Sequence, residues 1–192
     1  MKFDFTIEGT SDLMTHNPLS MFLAASAGGA PTKGTKKDVI PQEVAETACY
    51  RLSDGSCGIP VLAIRGALIE ASKDFKVPGK RYSLARLMKG CEVAPMEFVP
   101  ILRDGEPITS YTVDSRRAVN KNTKGAIIVH RPKYAAGWQV KFQLILDDAL
   151  FSMAEDEVEK VMRAVLDDAG RRVGIGSFRP ANGGWFGRFK VL

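Results

Sequence analysis

Gly170–Leu192, G-R-R-V-G-I-G-S-F-R-P-A-N-G-G-W-F-G-R-F-K-V-L, is the stretch that orders the rest of the sequence. It holds six glycines, five basic side chains (Arg171, Arg172, Arg179, Arg188, Lys190), four aromatics and no acid. It follows an amphipathic helical pattern and ends in a short alternating run, Phe186–Val191, so it joins a last helix to a last strand. Glycine lets a backbone pass close to a ligand and take positive φ, which leaves amide N–H groups free to face an anion. Arginine forks suit phosphate, and Phe178, Trp185 and Phe186 offer surfaces on which a base can stack. The other reading of the same residues is a glycine-rich hairpin that only returns the chain to its sheet.

Upstream of it, Ser152-Met-Ala-Glu155 is a capping-box pattern. The helix it opens has a predicted buried stripe of Val158, Val161, Met162, Val165, Leu166 and Ala169, and it stops at Gly170. Gly125–His130 and Trp138–Leu146 read as strands joined through Arg131-Pro132-Lys133. Cys91–Leu102 reads as a strand broken by Pro95 and Pro100, and Asp104-Gly105 with Glu106-Pro107 as a turn. Ser83–Lys89 suggests a short helix. In Gly58–Phe75, Pro60 suits a first helical position, and Val61, Ile64, Leu68, Ala71 and Phe75 recur on one face. Arg65-Gly66 interrupts that helix, which predicts close packing or close ligand approach there.

Toward the N-terminus, Gln42–Tyr50 is a short helical pattern and Asp54-Gly55 a turn. Lys2–Glu8 alternates with Phe3, Phe5 and Ile7 on one face, a half-buried strand. Residues 9–39 read as irregular, and within a 17–40 insertion the small, basic run Ala24–Lys37 predicts a flexible loop or finger. The order of elements is β-α-β-β-α-β. That implies a single α+β domain over 1–192, ferredoxin-like and so akin to the RNA-recognition (RRM-like) plan, with a long N-terminal loop insertion and a C-terminal glycine-rich loop.

Apolar residues make up 45% of the chain and charged ones 26%, as in ordinary globular domains, and the formal charge is +5. From Arg116 to Lys141 there are seven Lys/Arg, one His and no acid, whereas acids gather in Asp147–Asp168. Such segregation implies one positive face suited to a polyanion, with Arg116, Arg117, Arg131 and Lys133 crowding together near His130. Cys49, Cys57 and Cys91 are odd in number and form no C-x-x-C, so neither a disulfide framework nor a metal site is expected. The chain shows no signal peptide and no membrane-length apolar run, which suggests a cytoplasmic protein with no membrane partner. With no Walker loop, nucleophile elbow or carboxylate cluster, no cofactor is expected either.

Gly58–Ala71, G-I-P-V-L-A-I-R-G-A-L-I-E-A, resembles the helix start of the CRISPR-associated RAMP superfamily, which contains RNA-binding backbone subunits and guide-processing ribonucleases. G-W-F-G-R-F-K-V, Gly184–Val191, resembles the end of that superfamily's glycine-rich loop. The chain departs from the pattern at Val61-Leu62-Ala63, where Gly-Ser-Ser is usual. The whole sequence is also similar to uncharacterised tailed-phage proteins, on L-M-T-H-N at Leu13–Asn17, R-P-K-Y-A-A-G-W at Arg131–Trp138 and the G-I-G-S-F-R-P…G-R-F ending; a phage origin would place it in the host cytoplasm. The RAMP resemblance implies that Arg65 and the Gly174–Arg188 loop lie against nucleic-acid backbone, and that Gly28–Lys37 corresponds to a thumb.

These readings converge on a non-catalytic binder of single-stranded RNA or DNA. It would act as a homo-oligomer along the strand or beside other subunits of a nucleoprotein complex. Its binding set is Arg65, Arg116, Arg117, Arg131, Lys133, Gly174, Gly176, Phe178, Arg179, Trp185 and Arg188, with Phe186 as a further stacking surface. One alternative is a scaffold or anti-CRISPR mimic that meets an acidic partner. Another is a metal-independent endoribonuclease using His16 or His130, and some RAMP subunits instead cut with a loop aspartate, a place Asp12 and Asp38 occupy here.

Overall fold

The computed structural model describes residues 1–19, 40–77, 79–119, 125–147 and 153–192. In chain order its strands are β1 (Lys2–Gly9), β2 (Leu13–Met14), β3 (Tyr50–Arg51), β4 (Cys57–Pro60), β5 (Glu92–Ala94), β6 (Phe98–Pro100), β7 (Leu102–Arg103) and β8 (Glu106–Pro107). They continue with β9 (Thr112–Val119), β10 (Ala126–Tyr134), β11 (Gln139–Ile145) and β12 (Phe189–Val191). The α-helices among the described residues are α1 (Pro41–Thr47), α2 (Val61–Ala71), α3 (Ala85–Met88) and α4 (Glu155–Asp168).

Alternation in β1 works as predicted: Phe3, Phe5 and Ile7 are buried while Lys2 and Asp4 are exposed. Antiparallel β11 supplies the matching face, with Phe3 opposite Leu144, Phe5 opposite Phe142 and Ile7 opposite Val140. β12 flanks β1 and β5 flanks β11, so the order is β12-β1-β11-β5, with β7 and β8 continuing beyond β11. Helices α2 and α4 share one core with the apolar face of this sheet, through Val61, Ile64, Leu68, Val158, Met162 and Val165. Each of these side chains contributes about 1.5–3 kcal/mol on burial. Arg163 of α4 lies over the Phe5 ring, 5.5 Å from its centroid. The fold is thus α+β with antiparallel sheets.

Two smaller sheets stand beside this core, β3-β4-β6 and β2-β10-β9. The second corrects the sequence reading. Arg131-Pro132-Lys133 is not a connector but part of β10, and β9, for which the sequence shows no strand pattern, pairs with β10 from Thr112–Lys133 out to Val119–Ala126. T-V-D-S-R-R-A-V carries no apolar face because the ribbon projects: Val119, Ile127 and Ile128 are all exposed at its far end. Leu13 and Met14, in the supposedly irregular passage, form β2 and are wholly buried. Of the expected 17–40 insertion, residues 20–39, with the Ala24–Lys37 run and Asp38, lie outside the described residues.

Helix ends also differ from expectation. Pro60 precedes α2 rather than opening it, because the pairing of β4 with β6 runs through that residue, opposite Phe98. Glu106–Pro107 is strand, and only Asp104-Gly105 turns. Ala154 stands before the first turn of α4 without a side-chain cap, and Ser152 lies outside the described residues. The chain does not stop at Gly170 but runs on through a π-helical turn, Ala169–Val173, to Gly174 at φ 68°. Gly170 serves contact instead, since a side chain there would collide with the Phe189 carbonyl as β12 crosses. Gly66 is exposed with open space around it, so neither close packing nor close approach explains it.

The same substitution therefore has opposite signs at the two helical glycines. Gly66→Ala should stabilise the protein by about 0.5–1 kcal/mol through helix propensity. Gly170→Ala should destabilise it, because β12 must shift. Urea unfolding midpoints of the two variants check both.

Candidate nucleic-acid interface

Cross-strand partners in an antiparallel ribbon share a face, so the β9–β10 register sorts the basic residues. Arg131 lies opposite Asp114, Val129 opposite Arg116 and Lys133 opposite Thr112, which places Asp114, Arg116, Arg131 and Lys133 on one face. Arg117 pairs with Ile128 and His130 with Ser115, on the other. There His130 Nδ1 and the Ser115 hydroxyl are 2.7 Å apart. The expected crowd is two groups, divided by the pleat.

The glycine-rich loop is laid across the first face. Its backbone pairs with itself, Ile175 N–H donating to Gly187 O at 3.0 Å and Phe186 N–H to Phe178 O at 3.2 Å. It also pairs with the segment after β1: Gly187 N–H donates to Asp12 O at 2.8 Å and Ser177 N–H to Met14 O at 2.8 Å. Gly176 and Gly187 hold φ 77° and 66°, and side chains on them would meet the carbonyls of Met14 and Ile175. The glycines expected to face an anion, Gly174 and Gly176, thus end a helix and pack backbone on backbone.

This packing carries two aromatics to the ribbon. Arg116 Cζ lies 4.4 Å from the Phe186 ring centroid and 5.2 Å from that of Phe178, and Arg131 Cζ lies 4.8 Å from Phe178. Trp185 stacks on Phe186 at 5.5 Å and is 61% exposed. Phe186 is buried, and Phe178 is covered by arginine, so neither offers the free stacking surface the sequence suggested; Trp185 does.

Charge is not balanced across this cluster. Arg116 forms a two-point pair with Asp114, at 2.5 and 2.6 Å, and this pairing holds the Asp114 carboxyl below its usual range. Arg131 has no ion pair among the described residues, and its Nε is buried without a partner. Burial, then repulsion from Arg116, lowers its pKa, yet a guanidinium stays protonated. Beside it opens a cleft of about 220 Å³ lined by Thr15, His16, Tyr50, Ala63, Ser177 and Arg179 among others, with no carboxylate. Thr15 Oγ1 and Arg179 Nε, like Arg131 Nε, are buried polar atoms without a partner. Tyr50 OH donates to the His16 carbonyl at 3.0 Å. Burial, and after it the charge of Arg131, lowers the His16 pKa and keeps the imidazole neutral.

Other expected residues lie elsewhere. Arg65 Nε donates to Cys91 O at 3.0 Å and its Nη2 to Lys89 O, which ties down the chain beyond α3. Lys133 is paired with Asp12 at 3.6 Å. Arg188 lines a separate cleft with Asp167, Asp168 and Arg171. Three cations of the closing segment are neutralised: Arg171 and Arg172 by Asp168, Arg172 also by Asp74, and Lys190 by Glu8. Sequence reasoning missed Thr15, Tyr50 and Asp114. The D-x-R spacing of Asp114 and Arg116 was a usable sign of a same-face pair in a strand; nothing local marks Thr15 or Tyr50.

Among the described residues no three metal-capable side chains gather, and no helix is long and apolar enough to cross a membrane. No protein-family model and no curated protein matches the sequence. In backbone the chain is similar to a chain of a solved structure described as "Type IV-B CRISPR Complex", with 13% identity and a TM-score of 0.47 over 100% of this chain and 90% of that one. At that level nothing about binding or activity transfers from it.

A neutral, half-buried His16 gives a pH dependence of known sign. Its folded pKa lies below the ordinary 6.5, so the unfolded chain binds more protons in the window beneath 6.5. The stability it contributes is complete above that value and is lost as pH falls through the window. Asp114 and Glu46, held below 3.8 and 4.5, add nothing to the change there. Urea midpoints from about pH 7.5 to about pH 5 should fall for the native chain and fall less for His16→Gln. The remaining slope comes from Cys57, whose thiol is lowered to about 6, and should disappear only in His16→Gln/Cys57→Ser.

Proposed function

We propose that this chain binds single-stranded RNA or DNA through its phosphate backbone, in the manner of a non-catalytic RAMP-type subunit, with several copies along one strand. The observation that carries the reading is that Thr15 and Arg179 place buried, unpartnered polar atoms in the lining of one acid-free cleft, while Arg131, whose Nε is also buried and unpartnered, acts by its charge on His16 of the same lining. A buried cation without a partner is costly, and an anion that accepts from these groups relieves that cost. Phosphate oxygens fit the guanidinium forks, and the exposed Trp185 beside them supplies a sequence-tolerant stacking platform. Backbone contacts of this kind give weak base preference and steep salt dependence.

A strand order of β12-β1-β11-β5, with α2 and α4 on one face, supports a ferredoxin-like core. Of the two motifs behind the RAMP resemblance, the glycine-rich loop supports the reading by presenting Arg179 and Trp185. Arg65 does not, because its guanidinium is occupied by carbonyls.

Fluorescence anisotropy with labelled single strands, over a range of salt, tests the proposal. Arg131→Gln and Arg179→Gln should each weaken binding to every sequence and flatten the log–log salt slope by about 0.7. Trp185→Ala should cost about 1–3 kcal/mol. Arg117→Gln and His130→Gln, on the opposite face of the ribbon, should leave affinity nearly unchanged. An absence of binding at low salt, or an equal loss from both faces, would overturn the reading.

A further inference from the structure

Two of the three cysteines, which no spacing motif pairs, lie together. Cys49, the residue before β3, and Cys57, the first residue of β4, have their sulfurs 3.7 Å apart and are both buried. With Arg51 opposite Cys57 in the register, Cys49 and Cys57 are diagonal neighbours on one face of the hairpin. Two further groups converge on them: the Tyr134 hydroxyl, 3.4 Å from Cys49 Sγ, and Arg51 Nη1, which donates to Cys57 Sγ at 3.4 Å. Cys91 belongs to a different region, at the carbonyl held by Arg65.

We infer that Cys49 and Cys57 are a reversible oxidative modification site, closed to a disulfide by a small peroxide oxidant. A disulfide needs its sulfurs about 2.05 Å apart, so the two atoms need to approach by less than the width of one more sulfur contact. Hydrogen bonding from the Cys49 thiol, then from the Tyr134 hydroxyl, and the charge of Arg51 favour Cys57 as thiolate, while Cys49 retains its proton. Cys57 sulfur attacks one oxygen of hydrogen peroxide; the S–O bond forms, the O–O bond breaks, and hydroxide leaves and is protonated to water. Cys49 then gives up its proton and attacks the sulfenic sulfur; the S–S bond forms, the S–O bond breaks, and the second oxygen also leaves as water. Two thiols and one peroxide thus yield one disulfide and two waters, with two electrons passing from sulfur to oxygen.

The pair sits directly behind the cleft. Tyr50, between Cys49 and Arg51, holds the His16 carbonyl, and the Cys49 carbonyl accepts from Asn17 Nδ2 at 3.5 Å. Oxidation therefore cross-links the hairpin that supports the cleft's wall, yet its chemistry requires nothing of what the cleft binds.

The test exposes reduced protein to dilute hydrogen peroxide, then denatures it, alkylates free thiols and maps the peptides by mass spectrometry. The expected product is a Cys49–Cys57 cross-linked peptide with Cys91 alkylated, reversed by dithiothreitol. In Cys57→Ser, Cys49 should remain alkylatable after the same exposure. Arg51→Met should slow thiol loss by about twofold near neutral pH, because the Cys57 thiol, lowered to about 6, is already mostly thiolate there and loses a charge that favours that form. Alkylation of all three cysteines after exposure, or a cross-link through Cys91, would overturn the inference. Mapping the native chain decides it even where a variant fails to fold.

Discussion

Trp138 has no exposed surface, and its indole occupies the space where a side chain on Gly9 would be. Around this contact the chain is locked from several sides. Gly9 N–H donates to the Trp138 carbonyl at 2.7 Å, Gly137 N–H returns to the Gly9 carbonyl at 2.8 Å, and the indole N–H reaches the Ser11 carbonyl at 2.8 Å. The exit of β1 is thereby fixed against the entry of β11, and residues 10–15 have one course available. Asp12 then joins three parts: its carbonyl accepts from Gly187 of the loop, while its carboxylate takes the Ala136 amide and the Lys133 ammonium. Phe178 and Phe186 meet the ribbon arginines because this junction holds both sides at the right spacing.

A net charge of +5 understates how unevenly cations are used. Acids beside the C-terminal segment absorb Arg171, Arg172 and Lys190, and Asp114 absorbs Arg116. Within the ribbon cluster Arg131 is left without an ion pair among the described residues, where the Phe178 ring shields its guanidinium from water. Field strength there exceeds anything a count of basic residues conveys, because a partly desolvated charge interacts more strongly than a solvated one.

Much of the sheet and both long helices were legible from periodicity. Phe3, Phe5 and Ile7 alternate because one side of β1 meets the core, and Val158, Met162 and Val165 recur at helical spacing for the same reason. β9 escaped detection because one face of the ribbon meets solvent and the other meets aromatic rings through charged side chains, which leaves no apolar period to read. Arg131-Pro132-Lys133 passed for a connector because proline within a paired strand runs against the usual preference, and only pairing with Val113 reveals it as strand. Gly170, Gly176 and Gly187 mark close approach of the chain's own backbone, which the residue type cannot tell from a ligand, and Gly66 marks no close approach at all.

The amino-acid sequence by itself determined the local elements, the location of the basic and glycine-rich segments, and the stacking residues available to them. Hydrophobic burial has a period, and a period is a property of neighbouring residues. Tertiary structure alone decided which arginines are neutralised, which aromatics are covered, and which thiols meet. Each of those outcomes is a contact between atoms a few ångströms apart, and most join residues far apart along the chain: Arg116 with Phe186, Arg172 with Asp74, Cys49 with Tyr134.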